Sequence, residues 1–368
     1  MSGPRFELLV GAPAFWARAA ADIAAARHRV FVQAMTFEAD AAGAAVGAAV
    51  AASGAADRRV LVDDYSRHVI NDTFVNPRAP AAVQAEATAT RAMFDGLVAD
   101  GVGVRVTNPI GRNRARYMVR NHKKLIVADD IAYIGGINFS DHNFAWHDMM
   151  IRIGDAGPVA MLAEDFAATW ASRPVARRAA FDGLVLHALD GRTNAAQFRP
   201  VFAAIAAART AIDVVSAYPT EPFLGALAAA ARRGCRVRIF TPMPNNKPVV
   251  RDALVPFAAR AGIEVRLLPD MTHLKAILID GTTLFAGSTN FDFASFHVEE
   301  EYLAIIDDPA LVEQFRARVL VPAEQAALPD GSWTPARWRG IASRAALALA
   351  SGVVRTMRGT KRSAVDWE

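Results

Sequence analysis

Two short stretches of this chain carry residue types that suit phosphate chemistry. Each contains a histidine, a lysine two residues later and an aspartate five residues after the lysine. The first pattern comprises His122, Lys124 and Asp129, and the second comprises His273, Lys275 and Asp280. Each is followed by a glycine-rich turn that ends in asparagine, at Asn138 and at Asn290. The matched spacing of two complete patterns, each with its downstream asparagine, indicates a duplicated site.

The alternation of side chains along a β-strand brings each histidine next to its lysine. An apolar run follows each lysine, which is typical of a buried strand, and residues two apart on a strand point to the same face. His122 and Lys124 are therefore predicted to share a face, as are His273 and Lys275. An imidazole can attack phosphorus or transfer a proton, while an ammonium neutralises phosphoryl oxygens. The pairing predicts a binding site for a phosphate group.

The two aspartates of the patterns lie at an odd offset from their histidines. An unbroken strand would turn Asp129 and Asp280 away from the histidine face. The pairs Asp129-Asp130 and Asp280-Gly281 also have the composition of hairpin turns. We expect a structural role for these carboxylates, although the motif keeps both in the candidate catalytic set.

Length and composition describe a globular protein with a large core. The chain has 368 residues, of which 53% are hydrophobic and 21% charged, enough for two domains or one large duplicated domain. The formal net charge of +4 is a mild basic excess that suits anionic partners. Because Cys235 is the single cysteine, an intrachain disulfide framework is excluded and a reducing compartment is expected.

No stretch of the sequence reads as a targeting or membrane-spanning segment. Residues 1–10 include Arg5 and Glu7, which is unlike a signal peptide. The most apolar runs, residues 41–56 and 341–354, are too short, too weakly apolar or interrupted by arginine. We therefore expect a cytoplasmic protein. If its substrate is a lipid, the protein must meet that lipid at the membrane surface, on the inner face of the cell membrane.

The duplication extends beyond the two motifs. Matching segments keep their order, with offsets of 182 residues from Ile23 to Ile205 and 151 from His122 to His273. Strands alternate with helical stretches in each half, so the predicted fold class is α/β, with one mixed sheet flanked by helices per half and a pseudo-twofold axis relating the halves. The predicted divisions are residues 1–170, 171–310 and a tail at 311–368, with the halves separating within residues 154–194.

The shrinking offset locates extra residues in the first half. One insertion falls within residues 64–93, which we interpret as a loop and helix and a candidate lid. Another falls at residues 108–117 and contains Arg112, Arg114 and Arg116. Arginines beside a phosphate site can bind an anionic headgroup, and a solvated basic loop is the alternative.

The C-terminal tail combines tryptophan with arginine. It contains Trp333, Trp338 and Trp367 among several basic residues. This composition is typical of a membrane interface. A helix packed on the domain is the alternative interpretation.

The doubled motif resembles the signature of the phospholipase D superfamily, His-x-Lys-x4-Asp followed by Gly-Gly/Ser-x-Asn. The resemblance covers roughly residues 15–308. The flanking residues are most similar to those of bacterial cardiolipin synthases. The features that carry this similarity are Arg120-Asn121 before His122, the turn at 135–138 with Asp141, Trp146-His147-Asp148, and the turn at 287–292 with Ser295 and Glu301. Ala294 stands where those synthases usually have arginine.

The resemblance implies a two-step transfer through a phosphohistidine. It makes His122 the nucleophile and His273 the acid/base, whereas the sequence by itself leaves the two roles open. The residues expected to bind the phosphoryl group are Lys124, Lys275, Asn138 and Asn290, with Ser288 as a further substrate contact.

Each imidazole also needs an acceptor for its other nitrogen. We expect Asp148 for the first histidine and Glu301 for the second, with Glu299 and Glu300 as alternatives to Glu301. No metal or other cofactor is required, because the lysines and histidines supply positive charge. A metal cluster of His142, His147 and Asp148 is a minor alternative.

The predicted function is phosphatidyl transfer on an anionic glycerophospholipid, with cardiolipin synthesis from two phosphatidylglycerols as its most specific form. A hydrolytic phospholipase D and a nucleic-acid phosphodiesterase are the enzymatic alternatives. The Trp-rich tail and the lack of aromatic residues interleaved with basic ones argue against a nucleic-acid partner. A non-catalytic binding protein is disfavoured, because both motifs are complete.

Overall fold

The computed structural model describes residues 5–111, 114 and 116–367. The chain forms two compact units. One runs to Ala179 and takes in the residues from Thr360 onward, and the other is Ala180–Gly359.

The first unit contains most of the elements in the first half of the chain. Its strands are β1 Phe6–Val10, β2 Arg29–Ala34, β3 Asp57–Asp63, β4 Val69–Ile70, β5 Thr73–Phe74, β6 Gly103–Thr107, β7 Leu125–Ala128, β8 Ile131–Gly135 and β9 Met149–Ile153. Its helices are α1 Ala12–Ala25, α2 Ala41–Ala52, α3 Tyr65–His68, α4 Ala81–Ala99, α5 Asp141–Ala145 and α6 Ala156–Trp170.

The rest of the chain, from Arg177 onward, contains the remaining strands and helices. The strands are β10 Arg177–Phe181, within which the unit boundary falls, β11 Leu184–Asp190, β12 Ala211–Ser216, β13 Arg236–Pro242, β14 Glu264–Leu268, β15 Lys275–Ile279, β16 Thr283–Gly287, β17 Glu300–Ile306 and β18 Ala364–Asp366. The helices are α7 Asn194–Gln197, α8 Arg199–Ala207, α9 Phe223–Arg232, α10 Pro248–Ala261, α11 Phe293–His297, α12 Pro309–Phe315, α13 Val321–Ala326 and α14 Arg337–Thr356, with a π-helical turn at Arg316–Leu320.

The two large sheets repeat one topology. The first has the strand order β1-β9-β8-β7-β2-β3-β6-β18, and the second has β10-β11-β17-β16-β15-β12-β13-β14. From β1 to β6 in the first sheet and from β11 to β14 in the second, the neighbours pair with the same succession of antiparallel and parallel directions. The predicted fold class, a duplicated α/β fold with two mixed sheets flanked by helices, is therefore confirmed.

The motif strands form the centre of each core. All residues of β7 and β15 are buried, so the side chains on both faces of each strand are covered. The large aromatic side chains Phe15, Phe37 and Phe94 fill the first core. Phe198 and Phe223 fill the second. Burial on both faces explains why these strands read as continuous apolar runs rather than as alternating patterns.

Two terminal segments add edge strands that the sequence interpretation did not include. Residues 6–10 form β1, which pairs with β9, and residues 364–366 form β18, which pairs with β6. Residues 64–93, interpreted as a loop and helix, contain α3, the β4–β5 hairpin and the first part of α4.

The three tail tryptophans lie in different environments. The Trp367 ring packs 4.7 Å from that of Phe94, and its indole N–H donates to Asp95 at 2.7 Å. The Arg251 guanidinium lies 4.0 Å from the centroid of the Trp333 ring. Trp338, on α14, is 70% exposed. Within the described residues, no helix combines the length and the apolar character that crossing a bilayer requires.

Candidate active site

The first histidine and lysine lie at the start of the central motif strand. His122 and Lys124 come immediately before β7 and are 6% and 0% exposed. The Lys124 Nζ donates to the backbone oxygen of His122 at 2.7 Å. The intervening Lys123 instead donates to Asp165 on α6, at 2.6 Å. A buried ammonium thus lies against the backbone of a slightly exposed histidine, and the predicted shared face of the two side chains stays a prediction.

A buried polar frame holds the residues that precede His122. Arg120 Nη1 donates to Asp63 at 2.5 Å, and the Asn121 backbone N–H donates to the other oxygen of the same carboxylate at 2.7 Å. The Asn121 side-chain oxygen accepts from Gln33 at 2.8 Å. These contacts tie the motif to the ends of β2 and β3, so the chain enters β7 in a defined position. Asp63 and Gln33 were not identified from the sequence, since nothing in the motif spacing points to them.

The second histidine and lysine repeat this arrangement. His273 precedes β15, Lys275 is its first residue, and the Lys275 ammonium donates to the His273 backbone oxygen. The two side chains are buried to the same extent as in the first copy. The Tyr218 ring contacts the His273 imidazole edge-to-face at a centroid distance of 5.8 Å. Tyr218, which follows β12, is a neighbour of the histidine that sequence reasoning missed.

The two motif asparagines are buried in the turns that follow β8 and β16. The Thr36 backbone N–H donates to Asn138 Oδ1 at 3.2 Å, and Asn138 Nδ2 donates to Asn143 at 3.3 Å. The Asn290 backbone N–H donates to the Ser295 hydroxyl at 3.1 Å. The Asn290 Oδ1 is buried without a hydrogen-bond partner among the described residues. A polar atom in that position is suited to a ligand contact.

Asp148 lies directly beneath the first glycine-rich turn. A Cβ atom at Gly136 would come within 2.3 Å of Asp148 Oδ1, so only glycine leaves space for this carboxylate. The Met149 backbone N–H donates to the same oxygen at 2.8 Å. Asp148 is 1% exposed, and its position at the head of β9 is set by the strand pairing.

Glu301 occupies the equivalent position in the second unit. Gly136 donates its backbone N–H to the Met149 oxygen at 3.1 Å, and Ser288 donates to the Tyr302 oxygen at 3.0 Å. The residue before each acceptor is Asp148 or Glu301, so the strand register makes Glu301 the counterpart of Asp148, ahead of its neighbours Glu299 and Glu300.

Two serine hydroxyls hold the Glu301 carboxylate. Ser295 donates to Oε1 at 2.9 Å, and Ser288 donates to Oε2. Ser288 is fully buried, and its hydroxyl also accepts from the Tyr302 backbone N–H at 2.9 Å. The expected substrate contact of Ser288 is therefore replaced by a supporting contact to Glu301.

The aspartates of both motifs lie at the far ends of their strands from the histidines. Asp129 accepts from the backbone N–H groups of residues 27, 28 and 29 at 2.8 to 2.9 Å. Asp280 likewise accepts from residues 209, 210 and 211 and from the Thr210 hydroxyl. Burial opposes ionisation, but these donors prevail and lower the pKa of Asp280 to about 2. The contacts are structural, so their place in the candidate catalytic set is corrected.

The two predicted headgroup arginines that the structure describes lie in different environments. Arg112 lies outside the described residues. The Arg114 guanidinium lies 5.0 Å from the centroid of the Phe74 ring and is exposed. Arg116 donates to the backbone oxygen of Lys361. Arg116 thus anchors the loop, and only the Arg114 side chain is exposed among the two described arginines.

The alternative metal cluster is not formed. Among the described residues, His142, His147 and Asp148 do not bring their ligand atoms within 4.8 Å of one another. Oxygens of Glu38, Asp40 and Glu86 do come this close. Burial, the largest cause in each case, raises the pKa values of all three carboxyls, that of Glu38 to about 8. Glu38 therefore holds a proton at neutral pH.

Comparison with known proteins places this geometry in a family. The family model described as "Cardiolipin synthase, PLD-like domain" matches residues 20–170 and 201–319. Cardiolipin synthase A of Pseudomonas putida (strain W619) is 29% identical over 281 residues, which are 70% of this chain and 55% of that protein. The minor cardiolipin synthase ClsB of Bacillus subtilis (strain 168) is 28% identical over 254 residues, 60% of this chain and 62% of that protein. The chain spans about half the length of the Pseudomonas relatives it matches.

Among solved structures, a phosphatidylserine synthase of Haemophilus influenzae Rd KW20 has the same fold. It superposes with a TM-score of 0.73 at 15% identity, over 95% of this chain and 94% of that one. The doubled motif, the repeated sheet topology and the family match agree with one another, and they confirm the resemblance inferred from the sequence: the chain belongs to the phospholipase D superfamily, in the family of cardiolipin synthase-like domains.

Proposed function

We propose that this protein is a phosphatidyltransferase that acts on glycerophospholipids through a phosphohistidine. The observation that carries the proposal is the presence of two complete histidine–lysine pairs, each buried at the head of a central strand. In its most specific form the reaction joins two phosphatidylglycerols into cardiolipin and releases glycerol. The cardiolipin synthases among the relatives support this choice of substrate.

The mechanism assigns the nucleophilic role to one histidine and the acid/base role to the other. His122 attacks phosphorus, and the bond from phosphorus to the glycerol headgroup oxygen breaks. His273 protonates that leaving oxygen and then takes the proton from the hydroxyl of a second phosphatidylglycerol, whose oxygen displaces His122 from phosphorus. Lys124 and Lys275 stabilise the negative charge on the phosphoryl oxygens, together with the two motif asparagines.

Asp148 and Glu301 are positioning residues in this scheme. Each is a buried carboxylate held by hydrogen bonds from neighbouring groups. We assign them the task of fixing the orientation of the imidazoles. The substrate lies in an anionic membrane, so the enzyme acts as a peripheral protein on the cytoplasmic face.

Product analysis tests the reaction type. Purified protein is incubated with phosphatidylglycerol vesicles, and cardiolipin, glycerol and phosphatidic acid are quantified. Cardiolipin with an equal amount of glycerol supports transfer, whereas phosphatidic acid with glycerol identifies a hydrolase. Turnover of an oligonucleotide with no turnover of any phospholipid would refute the proposal.

Trapping the covalent intermediate tests the roles of the histidines. His122→Ala should abolish both turnover and the covalent adduct. His273→Ala should lower the turnover of substrates with alkoxide leaving groups on the order of 10²- to 10⁴-fold. On a p-nitrophenyl phosphodiester it should still form the adduct, located on His122 by mass spectrometry. A label on His273 would reverse the assignment.

A further inference from the structure

Helix α14 displays an apolar stripe on its outer side. Trp338, Ile341, Leu349 and Val353 are 70%, 56%, 73% and 46% exposed, and they are four of the nine large exposed hydrophobic residues in the described part of the chain. At 3.6 residues per turn, the four side chains fall within an arc of about 120°. A concentrated apolar surface of this kind marks an interaction site.

The opposite side of the helix is fixed against α10. Gly340 is buried there, and a Cβ at this position would lie 2.9 Å from Pro256 Cγ, so the two helices approach closely. Arg339 Nη2 pairs with the buried Asp252 carboxylate at 2.8 Å. Near the other end of α14, Val354 is 1% exposed. These contacts fix the rotation of α14, and the stripe therefore faces outward.

The charges on α14 select an anionic partner. The helix contains Arg337, Arg339, Arg344 and Arg355 and no acidic residue. By helical geometry, Arg337, Arg344 and Arg355 line one border of the stripe, and Arg339 lies on the other. Apolar side chains bordered by arginine are typical of helices that lie in the plane of an anionic membrane interface.

We propose that α14 docks this protein onto an anionic lipid bilayer, with the stripe buried among the acyl chains and with Arg337, Arg344 and Arg355 at the phosphates. This binding goes beyond the proposed reaction, because it requires no turnover. The inner face of the same helix packs on residues next to the second motif histidine. Leu347 packs on the cluster of Ala217, Tyr218 and Val250, and Tyr218 contacts the His273 imidazole. Docking through α14 therefore brings the surroundings of His273 close to the lipid.

Vesicle flotation tests the apolar contribution. The full chain is mixed with vesicles of phosphatidylcholine alone or of equal parts phosphatidylcholine and phosphatidylglycerol. The wild type should float with the anionic vesicles, and Leu349→Ser/Val353→Ser should bind them about tenfold more weakly or worse. The matched control is Val98→Ser, because Val98 is also a helical valine that is 46% exposed. The control should bind like the wild type.

A charge variant tests the electrostatic contribution. Arg337→Gln/Arg344→Gln should reduce binding to anionic vesicles at low salt by roughly 25-fold, about fivefold for each arginine. Thermal unfolding verifies that each variant is folded, which is expected because the altered side chains are on the surface.

Three results would overturn the proposal. One is a wild type that does not float with anionic vesicles, and another is a stripe variant that floats as well as Val98→Ser. The third is a wild type that is a dimer in light scattering, together with a stripe variant that is a monomer and binds vesicles as well as the wild type does. The stripe would then be the contact surface for a second copy of the chain. Vesicle binding without phospholipid turnover would instead refute the proposed reaction and leave the docking intact.

Discussion

Substitutions of the two adjacent lysines at the first motif should have different effects. Replacing Lys123 should lower stability, and replacing Lys124 should lower catalytic activity. Lys123 and Asp165 are both fully buried and form a 2.6 Å ion pair. Lys123→Met removes the ammonium of this pair and leaves the Asp165 carboxylate in the core without that contact. Breaking a buried pair in this way costs about 3–5 kcal/mol, a large part of the 5–15 kcal/mol typical of a domain.

The loss should be visible in thermal unfolding. For a unit of this size, each kcal/mol corresponds to about 2–4 °C, so Lys123→Met should lower the Tm of the first unit by roughly 6–20 °C. Lys124→Met removes the ammonium beside His122 instead. It should lower kcat on phosphatidylglycerol by about 10²- to 10³-fold, with a smaller change in Tm than Lys123→Met.

A double variant provides the control. Lys123→Met/Asp165→Leu replaces the whole buried pair with apolar side chains, which is often neutral or stabilising. It should recover most of the lost Tm and, at a temperature where the chain is folded, most of the activity. A wild-type Tm for Lys123→Met would refute the reasoning. So would a double variant as unstable as the single one, because the cost would then come from the loss of lysine packing.

Other predictions concern three carboxylates that accept hydrogen bonds, Asp280, Glu38 and Glu301. Asp280→Asn should destabilise the protein by about 1 kcal/mol at pH 7, with exposed Asp307→Asn as the control. Because the pKa of Asp280 is lowered to about 2, this difference should vanish as the pH falls from about 4 to 2. The pKa of Glu38 is raised to about 8, so the free energy of unfolding should fall as the pH rises from 4.5 to 8. In urea unfolding at pH 8, Glu38→Gln should be more stable than the wild type by about 2 kcal/mol. Glu301→Gln should lower kcat at least about tenfold and shift its pH profile, and Ser295→Ala should have a smaller effect in the same direction; an unchanged profile in Glu301→Gln would contradict its positioning role.

The motifs, the duplication and the fold class were readable from the amino-acid sequence. The His-x-Lys spacing and the apolar runs are local features, and the repeat is visible because the same order of segments recurs with a shrinking offset. Local patterns specify strands and helices well, since periodicity reflects which faces are buried. The odd offset of Asp129 and Asp280 also predicted their structural role, which their backbone contacts support.

The partners of buried polar groups were decided by the tertiary structure. In the sequence, Lys123 looks like one more basic residue of the motif. Its partner Asp165 lies 42 residues further along the chain. Glu299, Glu300 and Glu301 are three consecutive residues of the same type, so the sequence does not distinguish them. Only the pairing of β16 with β17 makes Glu301 the counterpart of Asp148. Sequence spacing does not encode such contacts, because they depend on which strands become neighbours.

The outer stripe of α14 illustrates the same distinction. Its residues read from the sequence as an apolar run interrupted by arginine, and a helix packed on the domain was as consistent with that run as a membrane interface. The structure packs one face of the helix on the domain, with Gly340 and Val354 against the protein, and it leaves Trp338 and Leu349 on the other face exposed to solvent. The first interpretation is thus seen directly, and the membrane interface stays a proposal. Composition establishes that a helix is apolar, but the direction in which each face points is set by the packing of its neighbours.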